Sequence, residues 1–273
     1  MNAQESFNAG KLSEALAAIG AEIRASPADP KRRTFLFELL CFSGDLDRAD
    51  KQLEVIAQQG ADSDLAVQAY RNALQGETAR REVFSGNRIP GLPKQIPDYT
   101  GLHIKAVHCL QEGQNSQARL LLEEAVQFYP SLHGQVNGQP FSSMSDCDDV
   151  LGPFLEVLVG PNYSWIPWEA IRSVEIMQPK YLRDLVWIPA SVVLNIGELG
   201  QVLLPCLYPG SYQDSNDQIK LGRMTDWRVD VEGLALGVGQ KLLAVDEQEL
   251  PIAEVRHIEF EEAAQEPEAG ADA

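Results

Sequence analysis

Few residues in this chain have the types and spacing that chemistry needs. Residues 221–228 read LGRMTDWR and bring Arg223, Thr225, Asp226 and Trp227 within five positions, after the turn-rich run YPGSYQDSNDQIK. An Arg, an Asp and a Trp so close together suit an active site, a docking surface or a well-knit corner. As an active site the run lacks a nucleophile and a base, because no Ser–His or Cys–His companion can be assigned to it. The structural reading therefore leads: Arg223 pairs with Asp226, Trp227 covers the pair, and Thr225 or Asp226 closes a turn. Docking of a partner on Arg223, Asp226 and Trp227 is the second reading.

The other chemical candidates fare worse. Of His103, His108, His133 and His257, the first two are five residues apart. On a helix they point about 140° apart, whereas an i, i+4 pair could chelate one metal. HExxH, GxSxG and GxxxxGK[ST] are all missing, which removes the zinc-protease, nucleophile-elbow and phosphate-cradle readings. GLALGVG at 233–239 has no strand–helix context for a dinucleotide and reads as a loop. SDCDD at 145–149 offers Asp146, Asp148 and Asp149 to a hard cation. It lacks the alternating ligands, the Gly and the closing Glu of a calcium loop. Ser145 or Asp146 as the cap of a short helix is the preferred reading. No metal, cofactor or catalytic residue is expected.

The front of the chain carries a repeat. AGKLSEALAAI at 9–19 aligns with SGDLDRADKQL at 43–53: Gly10 with Gly44, Leu12 with Leu46, Ala15 with Ala49, Ile19 with Leu53, an offset of 34. A third copy starts at Gly113 with Ala118 and Leu122 in the same places, and Pro27 and Pro130 each fall 17 residues after their glycines. The period and the small residues resemble the tetratricopeptide repeat. Gly ends one helix and permits a tight turn, Ala lets two helices approach, and Pro stops the second. The Trp and Tyr usual in the first helix are missing. The pattern predicts helices over 3–8, 11–25, 30–42, 46–59, 63–84, 98–112 and 115–128, with SGNRIPGLPKQIPD as a connector. In such a stack the concave face at 30–59 would carry Lys31, Thr34, Glu38, Cys41 and Phe42 above a core of Leu36, Phe37 and Leu40. A groove of that kind takes a peptide or helix.

From about residue 131 short β-branched runs alternate with turns. Strands are expected at 154–160, 163–167, 171–177, 184–194, 200–208, 241–246 and 254–260. PWEAIRSVEI at 167–176 echoes PIAEVRHIEF at 251–260, an offset of 84. A strand, a turn at Pro and an alternating second strand read as one reused β unit. Arg172, Glu175, Arg256 and Glu259 are then structural. The expectation is an α+β protein: tetratricopeptide-like helical hairpins over 1–130, a mainly antiparallel β domain over 131–262 forming a small barrel or packed sheets, and an acidic tail at 263–273.

The composition narrows the partners. Twenty-two basic against 40 acidic residues give a net charge of −18, which disfavours nucleic acid and anionic membrane. The start lacks the basic-then-apolar order of a signal peptide, and no run nears the 18 apolar residues of a membrane span. Cys41, Cys109, Cys147 and Cys206 form no CxxC, as suits free thiols in a cytoplasm.

Four segments in order, NGQPFSSMSDCDDVLGPFLEVLVGPNYSWIPW, LRDLVWIPA, LLPCLYPGSY and IKLGRMTDWR, resemble the ImpE family, also called TagJ or SciE-like, accessory proteins of bacterial type VI secretion. The likeness is strongest over 137–228. It implies a cytoplasmic, non-enzymatic adaptor. Some members of that family bind the N-terminal helix of the small contractile-sheath subunit and associate with the AAA+ ATPase that disassembles the sheath. The likeness assigns no site residues. Two further readings remain open: a hydrolase or small-ligand enzyme using the β domain, and a structural unit for homo-oligomerisation.

Overall fold

The computed structural model describes residues 1–26, 29–58, 64–228 and 233–261. Pro27 and the acidic tail at 263–273 lie outside the described residues. Among the described residues seven α-helices precede the first strand: α1 (Ala3–Asn8), α2 (Leu12–Ala25), α3 (Pro30–Ser43), α4 (Leu46–Ala57), α5 (Asp64–Phe84), α6 (Thr100–Gln111) and α7 (Asn115–Val126). Local chemistry sets their ends. Asn2 and Glu5 form a capping box at α1. Asp29 caps α3 with Pro30 in its first turn, and Gly44 ends it at a left-handed φ of 73°. The repeat positions Ala15, Ala49 and Ala118 are all fully buried, with Ile19, Leu53 and Leu122 beside them. Small residues there bring α2 onto its neighbours, as the tetratricopeptide pattern requires.

Beyond the helices lie 13 strands among the described residues. Eight of them form an antiparallel sheet in the order β2 (Gln139–Phe141), β1 (Gly134–Val136), β13 (His257–Phe260), β6 (Ile171–Ile176), β7 (Trp187–Leu194), β8 (Gly197–Pro205), β4 (Phe154–Val159), β5 (Asn162–Pro167). A second sheet runs β12 (Gln248–Pro251), β11 (Leu242–Val245), β3 (Met144–Asp146), and a ribbon pairs β9 (Thr225–Trp227) with β10 (Gly237–Gly239). The large sheet ends at β2 and β5 and does not close, so the packed-sheet form of the expectation holds and the barrel form does not.

The echoed segments are the same unit twice. A hairpin, β4–β5 or β11–β12, leads through a 3₁₀ turn, Trp168–Ala170 or Ile252–Glu254, into β6 or β13. The two final strands then pair, Ile258 opposite Val174. Glu175 and Glu259 point outward between buried apolar neighbours. The Arg256 guanidinium donates to the carbonyls of Val255 and Ala253 at 2.6 and 2.8 Å.

Three layers result: helices, large sheet, small sheet. Strand β4 serves both interfaces. Phe154 and Leu158 join the core shared with the helices, and Leu155 and Val157 join the core between the sheets. That alternation is the period of two expected of a strand buried on both faces. The helix-side core contains Phe37, Leu40 and Ala118 from the front of the chain and Trp165, Trp187 and Tyr208 from the back.

Strands β1, β2, β3, β9, β10 and β12 and the one-turn helix α8 (Asp217–Lys220) go beyond the sequence expectation. GLALGVG, expected as a loop, supplies β10. No described helix is long and apolar enough to cross a membrane.

Candidate functional site

The LGRMTDWR run lies where the back half grips the helices. Arg223 reaches 215 residues back along the chain: its guanidinium donates to the carbonyls of Phe7 at 2.8 Å and Asn8 at 3.1 Å and sits over the Phe7 ring. These are carbonyls of the last turn of α1, the negative end of a helix, where a cation is favourable. Six positions earlier, Asp217 does the converse. Helix α2 has no side-chain cap of its own, and the Ser13 N–H donates to the Asp217 carboxylate at 3.0 Å. One short segment thus matches opposite charges to the two helix ends that meet at the α1–α2 turn.

Two more residues of the same segment sit on repeat glycines. Gln218 donates to the carbonyl of Gly10 at 2.9 Å, and a Cβ on Gly10 would lie 1.8 Å from its amide nitrogen. A Cβ on Gly44 would meet the Tyr212 ring at 2.3 Å. Arg81 lies over that ring at 3.8 Å and donates to the Gly44 carbonyl at 2.8 Å. These two turns need glycine both for a left-handed φ and for the room that the back half occupies.

The expected Arg223–Asp226 pair does not form. Arg223 is engaged with α1, and the Asp226 carboxylate accepts its neighbour's N–H, that of Trp227, at 2.8 Å. Trp227 is half-buried with its ring near Tyr208 at 5.9 Å. Thr225 does close the corner, donating its hydroxyl to the Gln240 carbonyl at 2.7 Å.

The other candidate residues divide. Lys31 is exposed, and Thr34 is half-buried and donates back to the Pro30 carbonyl at 3.0 Å. Glu38, Cys41 and Phe42 are buried. Glu38 accepts from Arg183 at 2.8 Å, and Arg183 is stacked between Tyr70 and Tyr181. Phe42 packs on Phe7 at 6.3 Å. Glu38 and Phe42 are therefore not an open groove. The chain's own back half lies on that part of α3.

Sequence reasoning missed a buried charged cluster. Glu156 lies between Phe154 and Leu158 on the helix side of β4. Arg80 of α5 binds both its oxygens, at 2.7 and 3.0 Å, and Lys241 reaches it at 2.6 Å and Asp146 at 2.7 Å. Tyr163 donates to the same carboxylate and receives the Trp165 N–H. Burial alone would raise the Glu156 pKa, but Arg80 and Lys241 overcome it and hold it near 2. Only the alternation of β4 hinted at an inward Glu. Its partners come from 76 and 85 residues away in sequence, which no local pattern reveals.

SDCDD builds a turn held by its own carboxylates. Asp148 accepts the N–H groups of Val150, Leu151 and Gly237 at 2.9, 3.2 and 2.9 Å, and Asp146 accepts that of Asp148 at 3.0 Å. Among the described residues no group of His, Cys, Asp and Glu has the placement to hold a metal ion. Burial and the Asp146 charge push Asp148 up to about 7.

A cleft of about 230 Å³ adjoins the cluster, lined in part by Glu77, Arg80, Arg81, Asp148 and Tyr212. Four of its charged groups have partners within the chain: Arg81 bonds Glu77 at 3.2 Å, Arg80 bonds Glu156, and Asp148 accepts from backbone. No Cys or His lines it, and Ser85 donates to the Glu82 carbonyl. The histidine nearest the core, His103, is pinned between the Val150 carbonyl at 2.7 Å and the Tyr129 hydroxyl at 2.6 Å, and burial lowers its pKa to about 4. Burial also raises the thiols of Cys147 and Cys206 to about 12.

Fold and site together define a protein of repeat-patterned helical hairpins packed on β-sheets through a common core. The model of the ImpE protein family matches residues 138–259. The chain is 36% identical over 261 residues to the type VI secretion system accessory component TagJ of Pseudomonas aeruginosa, covering 96% of this chain and 92% of that one. It is also similar to the crystal structure of protein VPA1032 from Vibrio parahaemolyticus: TM-score 0.88, 26% identity, 96% of this chain and 98% of the other. The chain belongs to the ImpE family.

Proposed function

We propose that this protein is a cytoplasmic, non-enzymatic accessory component of a type VI secretion system. In this reading it is an adaptor that binds the N-terminal helix of the small contractile-sheath subunit and links it to the AAA+ ATPase that disassembles the sheath. The observation that carries the reading is the 36% identity, spread over 96% of the chain, to a protein named a type VI secretion system accessory component. Two features support it. A helical-repeat scaffold presents extended surfaces suited to a partner helix. A net charge of −18 steers a helix bearing Lys or Arg. The non-enzymatic part is supported by the cleft beside Arg80, where Glu77, Arg80, Arg81 and Asp148 have partners within the chain and which no Cys or His lines. Of the residues expected to dock a partner, Lys31, Arg223 and Asp226 are exposed, Arg223 being bonded to α1, while Glu38 and Phe42 are buried.

The test is capture of the untagged protein by the small sheath subunit, intact or lacking its N-terminal helix. The intact subunit is expected to retain the protein and the truncated one to release it. Equal retention by both would contradict the reading.

A further inference from the structure

The connector between α5 and α6 faces the tip of the β7–β8 hairpin across a cleft of about 280 Å³. Ile96 and Pro97 line it from the connector, Leu194 and Ile196 from the hairpin, and Pro167 from the end of β5. Ile96 is 52% exposed and Ile196 71%. Isolated exposed aliphatics are ordinary, but two flanking one concavity form a patch of the kind that partners cover. Leu120 and Phe128, near α7, are also exposed, but they line none of the clefts described here.

One charged group lines this cleft. Glu169 accepts the Tyr99 hydroxyl on Oε1 at 2.6 Å, and its Oε2 accepts no hydrogen bond among the described residues. Tyr99 is buried in the core shared by the two halves, so the carboxylate is held in place. The hairpin wall is fixed as well. Asn195 donates its backbone N–H to the Ala170 carbonyl at 3.0 Å and its side chain to the Glu169 carbonyl at 2.8 Å. Asp98 and Glu198, both exposed, follow Ile96 and Ile196 by two residues each, and the bases nearest the lining in sequence are Lys94 and Arg172. The cleft is thus apolar with a single carboxylate, that of Glu169, in its wall.

We propose that this cleft seats a cationic amphipathic helix. Aliphatic side chains one turn apart enter between Ile96 and Ile196, and a Lys or Arg on the same face reaches the open oxygen of Glu169. Apolar anchors at i and i+4 beside a base are the pattern such a cleft selects. A second copy of this chain fits less well, because it would set these acids against each other. The proposal rests on the adaptor reading and adds the place of contact.

The experiment measures fluorescence anisotropy of a labelled peptide spanning the N-terminal helix of the small sheath subunit. It is titrated with wild type, Ile196→Asp, Glu169→Gln and, as a control on α7, Leu120→Asp. Ile196 is at an exposed hairpin tip, so its variant is expected to keep the wild-type melting temperature. Ile196→Asp should weaken binding about tenfold or more. Glu169→Gln should weaken it about threefold and flatten its salt dependence, and Leu120→Asp should bind as wild type does. Wild-type binding with Ile196→Asp and Glu169→Gln unchanged would overturn the cleft and leave the adaptor reading standing. No binding to wild type would overturn both.

Discussion

Arg223 sits in a run with the composition of an active site, yet its guanidinium closes the last turn of α1. The sequence supplies its charge and its company, but its partners are backbone carbonyls more than 200 residues away, which carry no side-chain signal. Replacing it by Ala should lower stability by about 1–2 kcal/mol, the scale of a helix-end cation with two charge-assisted hydrogen bonds, and Lys should restore part of the loss. Denaturant unfolding checks this, and an unchanged midpoint for Ala would contradict it. His103 makes a second prediction. Burial holds its pKa near 4 rather than 6.5 against the hydrogen bond to Val150. The folded state therefore favours the neutral ring. That stability is fully present above about pH 6.5 and is lost as pH falls toward 4, by up to about 3 kcal/mol. Between pH 7 and 4 the wild type should lose more stability than His103→Gln by about that amount; parallel curves would count against it.

Among the elements, the helices were the most legible. Every expected helix is present within two or three residues, because the 3.6-residue period and the glycine, alanine and proline punctuation are local signals. The longer strands were legible for the same reason, and so was the echo that places β6 beside β13. Six strands of three or four residues were not, since a run of three cannot show an alternation. One of the hairpins did carry a signal: Asn137-Gly138 between β1 and β2 has both residues at positive φ, 52° and 78°, as a two-residue hairpin turn requires. The repeat glycines were legible as turns but not as seats. Gly44 and Gly113 have the same φ of 73°, but only at Gly44 would a Cβ meet the Tyr212 ring. Gly113→Ala should cost about 1 kcal/mol, the penalty of the left-handed backbone alone. Gly44→Ala should cost measurably more, read as the difference in melting temperature, and equal costs would refute the seat.

For the whole molecule, the sequence describes a helical array and a β unit, and the structure joins them through a common core. Phe37 and Ala118 belong to the same cluster as Trp165 and Tyr208. The concave face that a tetratricopeptide array would offer at Glu38 and Phe42 is covered by residues such as Arg183 and Tyr212. Helices and strands thus cover each other's apolar faces. The candidate docking surface was the least legible part. Ile96, Glu169 and Ile196 come from a connector, a 3₁₀ turn and a hairpin tip, and nothing local marks them as neighbours. The claim on which the function turns is that an acidic, helical-repeat adaptor receives a basic sheath helix. Isothermal titration of the full chain with a synthetic peptide of the small sheath subunit's N-terminal helix tests it most directly. Saturable one-to-one binding that weakens with added salt is the expected result; no binding with the peptide at high micromolar concentration would contradict the claim.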